Sequence, residues 1–219
     1  MAKPLALIFD LDGTLIDSAA QIHATTNWVL HRHGLGITDA STVQSFVGNG
    51  LPKLVERLLH HHQVDTNPAL LATIITQFEA DYTTSHDLTK LYPGVRHALE
   101  TLKTMGALLG LCTNKPIAPT LAILHHLNLT PLFHTILGGD SLPIRKPDPE
   151  HLWTTARDMN RPKVIFVGDS EVDADTAQAA KIPFLLYTEG YRKSPAAQIP
   201  HHAAFDNWAA LPDLIAPLA

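Results

Sequence analysis

Short, wholly apolar runs alternate along this chain with segments whose apolar positions recur every three or four residues. The apolar runs are residues 5–9, 107–112, 135–137, 164–167 and 184–187. Each has the length and character of a strand buried on both faces. Between them the period changes. In "VRHALETLKTMG", Val95, Leu99, Leu102 and Met105 fall on one helical face, and Gly106 is a natural stop. "PTLAILHHLNL", "PEHLWTTARDM" and "EVDADTAQAAK" follow later runs with the same helical spacing. Strand and helix therefore alternate, which predicts an α/β fold: a doubly wound parallel sheet with helices on both faces.

Residues 18–88 break that rhythm. "AAQIHATTNWVLHRHG", "LPKLVERLLHHH" and "PALLATIITQFEADYTTSH" read as three amphipathic helices with no strand among them. They predict a small all-helical domain, residues 18–88, inserted after the first strand of a sheet domain built from residues 1–17 and 89–219. Pro93 and Gly94 in "LYPG" mark the return.

Composition narrows the possibilities. A chain of 219 residues, 45% of them hydrophobic, is ample for such a core. The net charge is −5 and no basic stripe is present, which argues against nucleic acid as a partner. The single cysteine, Cys112, excludes an intramolecular disulfide and a cysteine zinc finger. No window approaches the ~20 apolar residues of a membrane span. The first apolar run is too short for a signal peptide, so the expectation is a cytoplasmic protein. Histidine is abundant, at 14 residues, with clusters at His31 and His33, His60 to His62, His125 and His126, and His201 and His202. Neighbours on a helix point in different directions, so these read as solvated helix ends or loops rather than metal sites.

In a doubly wound sheet, ligands bind beyond the carboxyl ends of the strands. Asp10, Asp12, Gly13 and Thr14 follow the first run, and Thr113, Asn114 and Lys115 the second. Lys146 lies in "RKPDPE" after the third, and Asp169, Ser170 and Asp173 follow the fourth. Carboxylates gathered at one edge would repel one another unless a cation sat among them, and hard oxygen ligands suit Mg²⁺. A hydroxyl, a lysine and backbone N–H groups near Gly13 suit phosphate oxygens. A carboxylate there can attack phosphorus, and a second can move the proton. Each residue also has a plainer reading: Asp and Thr as helix caps, Lys146 as an exposed lysine, Asp173 as a first-turn acid favoured by the helix dipole.

Taken in order, "DLDGT", "CTN", "KPDP" and "GDSEVD" resemble the four motifs of the haloacid dehalogenase superfamily of aspartate-nucleophile phosphatases. The inserted helices are similar to that family's small cap domain. Within it, "DLDGTLIDS", "VGNG", "GGDSLPIRKPDP", "VGDSEVDADTAQAA" and "PFLLYTEGYR" resemble bacterial phosphoglycolate phosphatases. The resemblance implies Asp10 as nucleophile and Asp12 as general acid and base. Asp10, Asp169 and the Asp12 carbonyl would hold Mg²⁺, with Asp173 and Ser170 in an outer position. It implies Thr113, Asn114, Lys146 and Gly13 around the phosphoryl group of a small phosphate ester, 2-phosphoglycolate first, in a monomer or homodimer. Gly48, Asn49, Gly50 and Lys53 are the candidates for specificity, and Arg57 and Arg32 are further cations that a substrate carboxylate could use. Sugar phosphatase, pyrophosphatase and phosphomutase activities are alternatives on the same fold. A phospho-accepting receiver domain shares the strand-end chemistry, but it lacks both a helical cap and an acid at the position of Asp12.

Overall fold

The first apolar run forms β1 (Ala6–Phe9) in a computed structural model that describes residues 5–160 and 163–215. Successive side chains of a strand point to opposite faces. Leu7 and Phe9 accordingly enter one hydrophobic cluster, and Ala6 and Ile8 enter another on the far side of the sheet. A strand with apolar partners on both faces has no use for a polar residue until it ends, which is why the run is unbroken up to Asp10.

Around β1 the sheet is parallel throughout, in the order β5 (Thr135–Leu137), β4 (Leu108–Cys112), β1, β6 (Val164–Gly168), β7 (Phe184–Tyr187), β8 (Ala203–Phe205). The first five match the apolar runs. The sixth, β8, escapes the reading of the sequence because it has only three residues, two of them alanine. It is held by what Phe205 packs on: the rings of Tyr187 at 5.4 Å and Trp208 at 5.3 Å. Helices α5 (Val95–Thr104), α6 (Ile117–His126), α7 (Pro149–Met159) and α8 (Glu171–Ala180) connect the strands, and α9 (Leu211–Ile215) follows β8. Val95, Leu99 and Leu102 of α5 are buried as expected, but Met105 is 60% exposed. The helix has already ended there, and Gly106 turns the chain away with φ +87°.

The chain leaves the sheet domain through β2 (Ile16–Asp17) and returns through β3 (Lys90–Leu91), which pair antiparallel as a two-residue clasp. Four helices lie between them rather than three: α1 (Ala19–Arg32), α2 (Ala40–Phe46), α3 (Leu51–His61) and α4 (Pro68–Thr84). They bury a cluster of their own that includes Ile22, Val43, Leu54, Leu58, Ile74 and Phe78. The unforeseen α2 has seven residues and one buried side chain, Val43, too little for a periodic signal. Its start is set by Asp39, whose carboxylate accepts the Thr42 N–H at 2.9 Å. Several histidines join these helices through hydrogen bonds: His62 to the Thr38 hydroxyl, His23 to the Thr38 carbonyl, His33 to Gln77. Among the described residues, no helix is long and apolar enough to cross a membrane.

His151 of α7 is fully buried, with Nε2 3.1 Å from the Gly138 carbonyl oxygen and Nδ1 without a partner. Nε2 therefore carries the hydrogen. Burial first, and the Lys146 charge second, push its pKa down to about 4. In the unfolded chain a histidine titrates near 6.5. The neutral imidazole thus stabilises the fold fully above that value, and the contribution drains away as pH falls from about 6.5 toward 4. Between pH 7 and pH 5 the expected loss is about 2 kcal/mol. Urea unfolding at the two pH values should show that loss as the difference between the wild type and His151→Gln, which keeps a donor for Gly138; the comparison cancels the other titrating groups.

Candidate active site

Parallel strands all end at one edge, so the register of β1, β4 and β6 decides which side chains meet there. Asp10 follows β1 and donates its N–H to the Val167 carbonyl of β6 at 2.9 Å. Thr113 follows β4, and Asp169 follows β6. All three line one cavity, whose opposite wall comes from the helical insertion through Ile22, Leu51, Leu54, Phe78 and Tyr82.

After Asp10 the chain turns tightly, with the N–H groups of Thr14, Leu15 and Ile16 all directed at the Leu11 carbonyl. Gly13 adopts φ +85°, and a Cβ there would lie 2.4 Å from Asp169 Oδ2, so only glycine lets the turn and the carboxylate approach. The Gly13 N–H is bound to the Ile16 carbonyl at 2.9 Å, which removes it as a free donor for a phosphate oxygen. Asp169 is held from both sides: Thr14 Oγ1 donates to Oδ1 at 2.7 Å, and the Tyr191 N–H donates to Oδ2 at 2.6 Å.

Lys146 is not the exposed lysine of the plainer reading. It is buried, with Nζ 2.6 Å from Asp173 Oδ1 and 2.9 Å from Asp10 Oδ1. Burial alone would favour the neutral amine, but the Asp10 and Asp173 carboxylates outweigh it and hold the pKa above its ordinary value. At Asp10 the balance runs the other way: burial outweighs the ammonium, Asp173 adds to it, and the pKa is pushed up to about 6. The Lys146 ammonium, 2.9 Å from Asp10 Oδ1, is that oxygen's partner. Asp173 Oδ2 accepts the Ser170 hydroxyl at 2.7 Å and two N–H groups, those of Asp169 and Ser170. It is thus a capping acid of α8 and a partner of Lys146 at once.

Asp10, Asp169 and Asp173 bring carboxylate oxygens within 4.8 Å of one another. Burial, then Asp173 and Asp10, hold the Asp169 pKa well above the ordinary carboxylate range. Three buried acids share one ammonium, so the cluster holds more carboxylates than cations. That set of hard oxygens fits a divalent cation. Asp173 is engaged by Lys146 and the α8 N-terminus, Asp169 by Thr14 and Tyr191, and Asp10 by Lys146. Among the described residues no other group of histidine, cysteine and acidic side chains comes together this way.

Asp12 stands apart from that cluster. Its carboxylate accepts the Ser18 hydroxyl at 2.6 Å and Lys115 Nζ at 3.1 Å. Thr113 and Ser170 line the cavity, and Thr113 is buried. Asn114 donates to the Lys146 carbonyl at 2.9 Å and the Gly48 carbonyl at 3.0 Å, so both its N–H groups position loops. Gly48, Asn49 and Gly50 form the turn between α2 and α3 and line the cavity. Lys53 is not brought there: it pairs with Glu56 at 2.8 Å on an exposed face. Arg57 donates to the Phe46 carbonyl and to Asn49, both at 2.8 Å, and stiffens the turn. Arg32 lies over the Trp28 ring.

Three further residues belong to this site. Lys115, the residue after Asn114, has its ammonium 3.5 Å from the centre of the Tyr82 ring as well as beside Asp12. Its position next to the "CTN" stretch was the available signal. Tyr82 offered none beyond helical spacing. Tyr191 reaches back across the chain: its hydroxyl accepts the Ser18 and Ala19 N–H groups at 2.7 and 2.9 Å and so caps α1. No local pattern could announce that partnership.

Residues 7–187 match the family model of the haloacid dehalogenase-like hydrolases. The chain is 46% identical to a phosphoglycolate phosphatase of Rhodobacter capsulatus over 210 residues, covering 96% of each protein. It is 44% identical over 217 residues to a phosphoglycolate phosphatase of Cereibacter sphaeroides strain ATCC 17029, covering 95% of this chain and 96% of that one. A crystal structure described as a predicted phosphoglycolate phosphatase from Haemophilus somnus 129pt superimposes with a TM-score of 0.90 at 29% identity, over 98% of this chain and 99% of that one. By motif, fold and sequence the chain belongs to the haloacid dehalogenase-like hydrolase family.

Proposed function

We propose that this protein is a Mg²⁺-dependent phosphatase that converts 2-phosphoglycolate to glycolate and phosphate through an aspartyl-phosphate intermediate. One observation carries the chemistry. Two carboxylates two residues apart face the same cavity in different company: Asp10 in the buried cluster with Lys146, Asp169 and Asp173, Asp12 held by Ser18 and Lys115. Asp10 is assigned as the nucleophile because it stands first in the motif and beside Lys146, and Asp12 as the acid because it lies outside the carboxylate cluster. The choice of substrate is supported by the relatives at 46% and 44% identity, both named phosphoglycolate phosphatase.

In this reading an Asp10 oxygen attacks phosphorus while the ester oxygen leaves with a proton from Asp12. Asp12, now a carboxylate, takes a proton from the water that attacks the phosphoaspartate, and Asp10 is regenerated. Thr113 and Lys146 bind the transferring phosphoryl oxygens. Asn114 keeps the Lys146 backbone in place. Asp10, Asp169 and the Asp12 carbonyl would hold Mg²⁺, which, when bound, offsets the charge of the carboxylates and of the phosphoryl group. Helices α1 to α4 act as a cap that closes over the cavity about the β2–β3 clasp and excludes water.

The test is phosphate release over a panel of small phosphoesters with Mg²⁺. 2-Phosphoglycolate is expected to give the highest kcat/KM. A sugar phosphate or pyrophosphate that exceeds it overturns the substrate, and no release from any ester overturns the reaction.

A further inference from the structure

A substrate as compact as 2-phosphoglycolate constrains where its carboxylate can be bound. One methylene separates that carboxylate from the ester oxygen that must be protonated. The cation that recognises the carboxylate must therefore sit next to the residue that protonates the ester oxygen. A cation elsewhere on the cap would be out of reach.

The cations of the helical insertion fail this condition. Lys53 is paired on the surface, and Arg57 and Arg32 are engaged by Phe46, Asn49 and Trp28. Among the described residues that line the cavity, the cations are Lys115 and Lys193. Lys193 is exposed. Lys115 is buried, and its Nζ lies 3.1 Å from Asp12 Oδ1 and 3.4 Å from Oδ2. The three donors of this ammonium face the two Asp12 oxygens and the Tyr82 ring, and a substrate carboxylate would compete for one of them. The Tyr82 hydroxyl, from the facing wall, is buried close to Ser18 and Asp12. This corner places a buried ammonium and a buried phenol hydroxyl beside the residue that would protonate the ester oxygen.

We propose that Lys115, assisted by the Tyr82 hydroxyl, binds the substrate carboxylate and thereby sets the preference for a phosphorylated acid over a neutral phosphoester. The proposal rests on the substrate reading given above. The ammonium already lies beside Asp12, so a carboxylate bound to it stays within one methylene of that residue. The same contact places the ester oxygen beside Asp12. Specificity then comes from the strand-end loop of the sheet domain, and the apolar cap wall of Ile22, Leu54 and Phe78 excludes water and bulk.

The experiment compares 2-phosphoglycolate with 2-hydroxyethyl phosphate, in which a neutral alcohol replaces the carboxylate. Both are assayed with the wild type, Lys115→Met and Tyr82→Phe. Disturbing Asp12 slows both esters alike, so the ratio of their kcat/KM values isolates carboxylate recognition. One charge-assisted contact corresponds to a ten- to hundredfold change in that ratio. Lys115→Met is expected to lower the preference for 2-phosphoglycolate by that factor, mainly through KM. Tyr82→Phe, which keeps the ring under the ammonium, should lower it several-fold. A ratio unchanged in Lys115→Met overturns the proposal and leaves Lys115 as a positioning residue for Asp12. Should Lys115→Met not fold, an unchanged ratio in Lys115→Gln has the same consequence. A wild type without any preference for the carboxylate ester overturns the substrate reading itself, and this proposal with it.

Discussion

Asp10→Asn should reduce phosphate release by three orders of magnitude or more while leaving the protein folded. The amide has the shape of the carboxylate but cannot attack phosphorus, and loss of a nucleophile from a cooperating set removes nearly all of its rate advantage. The fold should survive because the strand that carries Asp10 is held by the ladders of β4 and β6 and by apolar clusters on both faces. Substituting the neutral amide also relieves the repulsion that burial and Asp173 impose on Asp10. Turnover of 2-phosphoglycolate and of p-nitrophenyl phosphate, with the melting temperature recorded alongside, checks this. Appreciable turnover of either ester by the variant would defeat the nucleophile assignment. Asp12→Asn is expected to differ: it should slow 2-phosphoglycolate, whose alkoxide needs a proton to leave, more than p-nitrophenyl phosphate, whose phenolate does not.

Lys146→Met should damage both stability and activity. Nζ is 2.6 Å from Asp173 and 2.9 Å from Asp10, and the lysine side chain is 1% exposed. Removing one partner of a buried ion pair leaves the remaining charge neither solvated nor compensated, at a cost of about 3–5 kcal/mol. Here two acids are left, with Asp169 close by, so the upper part of that range is expected in metal-free buffer at pH 7. Acid should narrow the deficit. Asp10 and Asp169 have folded pKa values above their unfolded ones, and the Lys146 charge is what holds Asp10 down. The variant therefore loses stability as pH rises through the range between unfolded and folded values and regains it as pH falls. The loss of a preorganised cation at the phosphoryl group should lower kcat/KM by a further 10²–10³-fold in the fraction that remains folded. Urea unfolding at pH 7 and pH 5 reads the first effect. A variant as stable as the wild type at pH 7 would mean that Lys146 does not compensate the cluster.

Much of this was legible in one dimension. A strand covered on both faces must be apolar at every position, so β1, β4, β6 and β7 stand out as unbroken runs. Their parallel order follows from the helices between them. The end of such a run is where polar chemistry begins, which is why Asp10, Thr113 and Asp169 could be picked out without coordinates. Short elements were not legible. The three residues of β8 and the seven of α2 carry too few periods, and they exist because Phe205 and Val43 pack against distant elements. Met105 fitted the helical period but lies beyond the end of the helix.

The candidate site divides along the same line. The order and spacing of motifs pointed to the family and to the strand-end acids, because these depend on residue type and on strand ends. Which cation faces the ligand depends on how two domains meet, and sequence neighbours do not report that. Lys53, Arg57 and Arg32 were the natural candidates by position, yet each is engaged elsewhere. Lys115 holds the inner place beside Asp12 and Tyr82. Tyr191 caps α1 from the far end of the chain and binds Asp169 through its N–H. The sequence by itself determined the sheet, the strand-end acids and the reaction class, because local pattern encodes burial and spacing. The tertiary structure alone decided which buried charges pair, because charge compensation acts through space between residues remote along the chain.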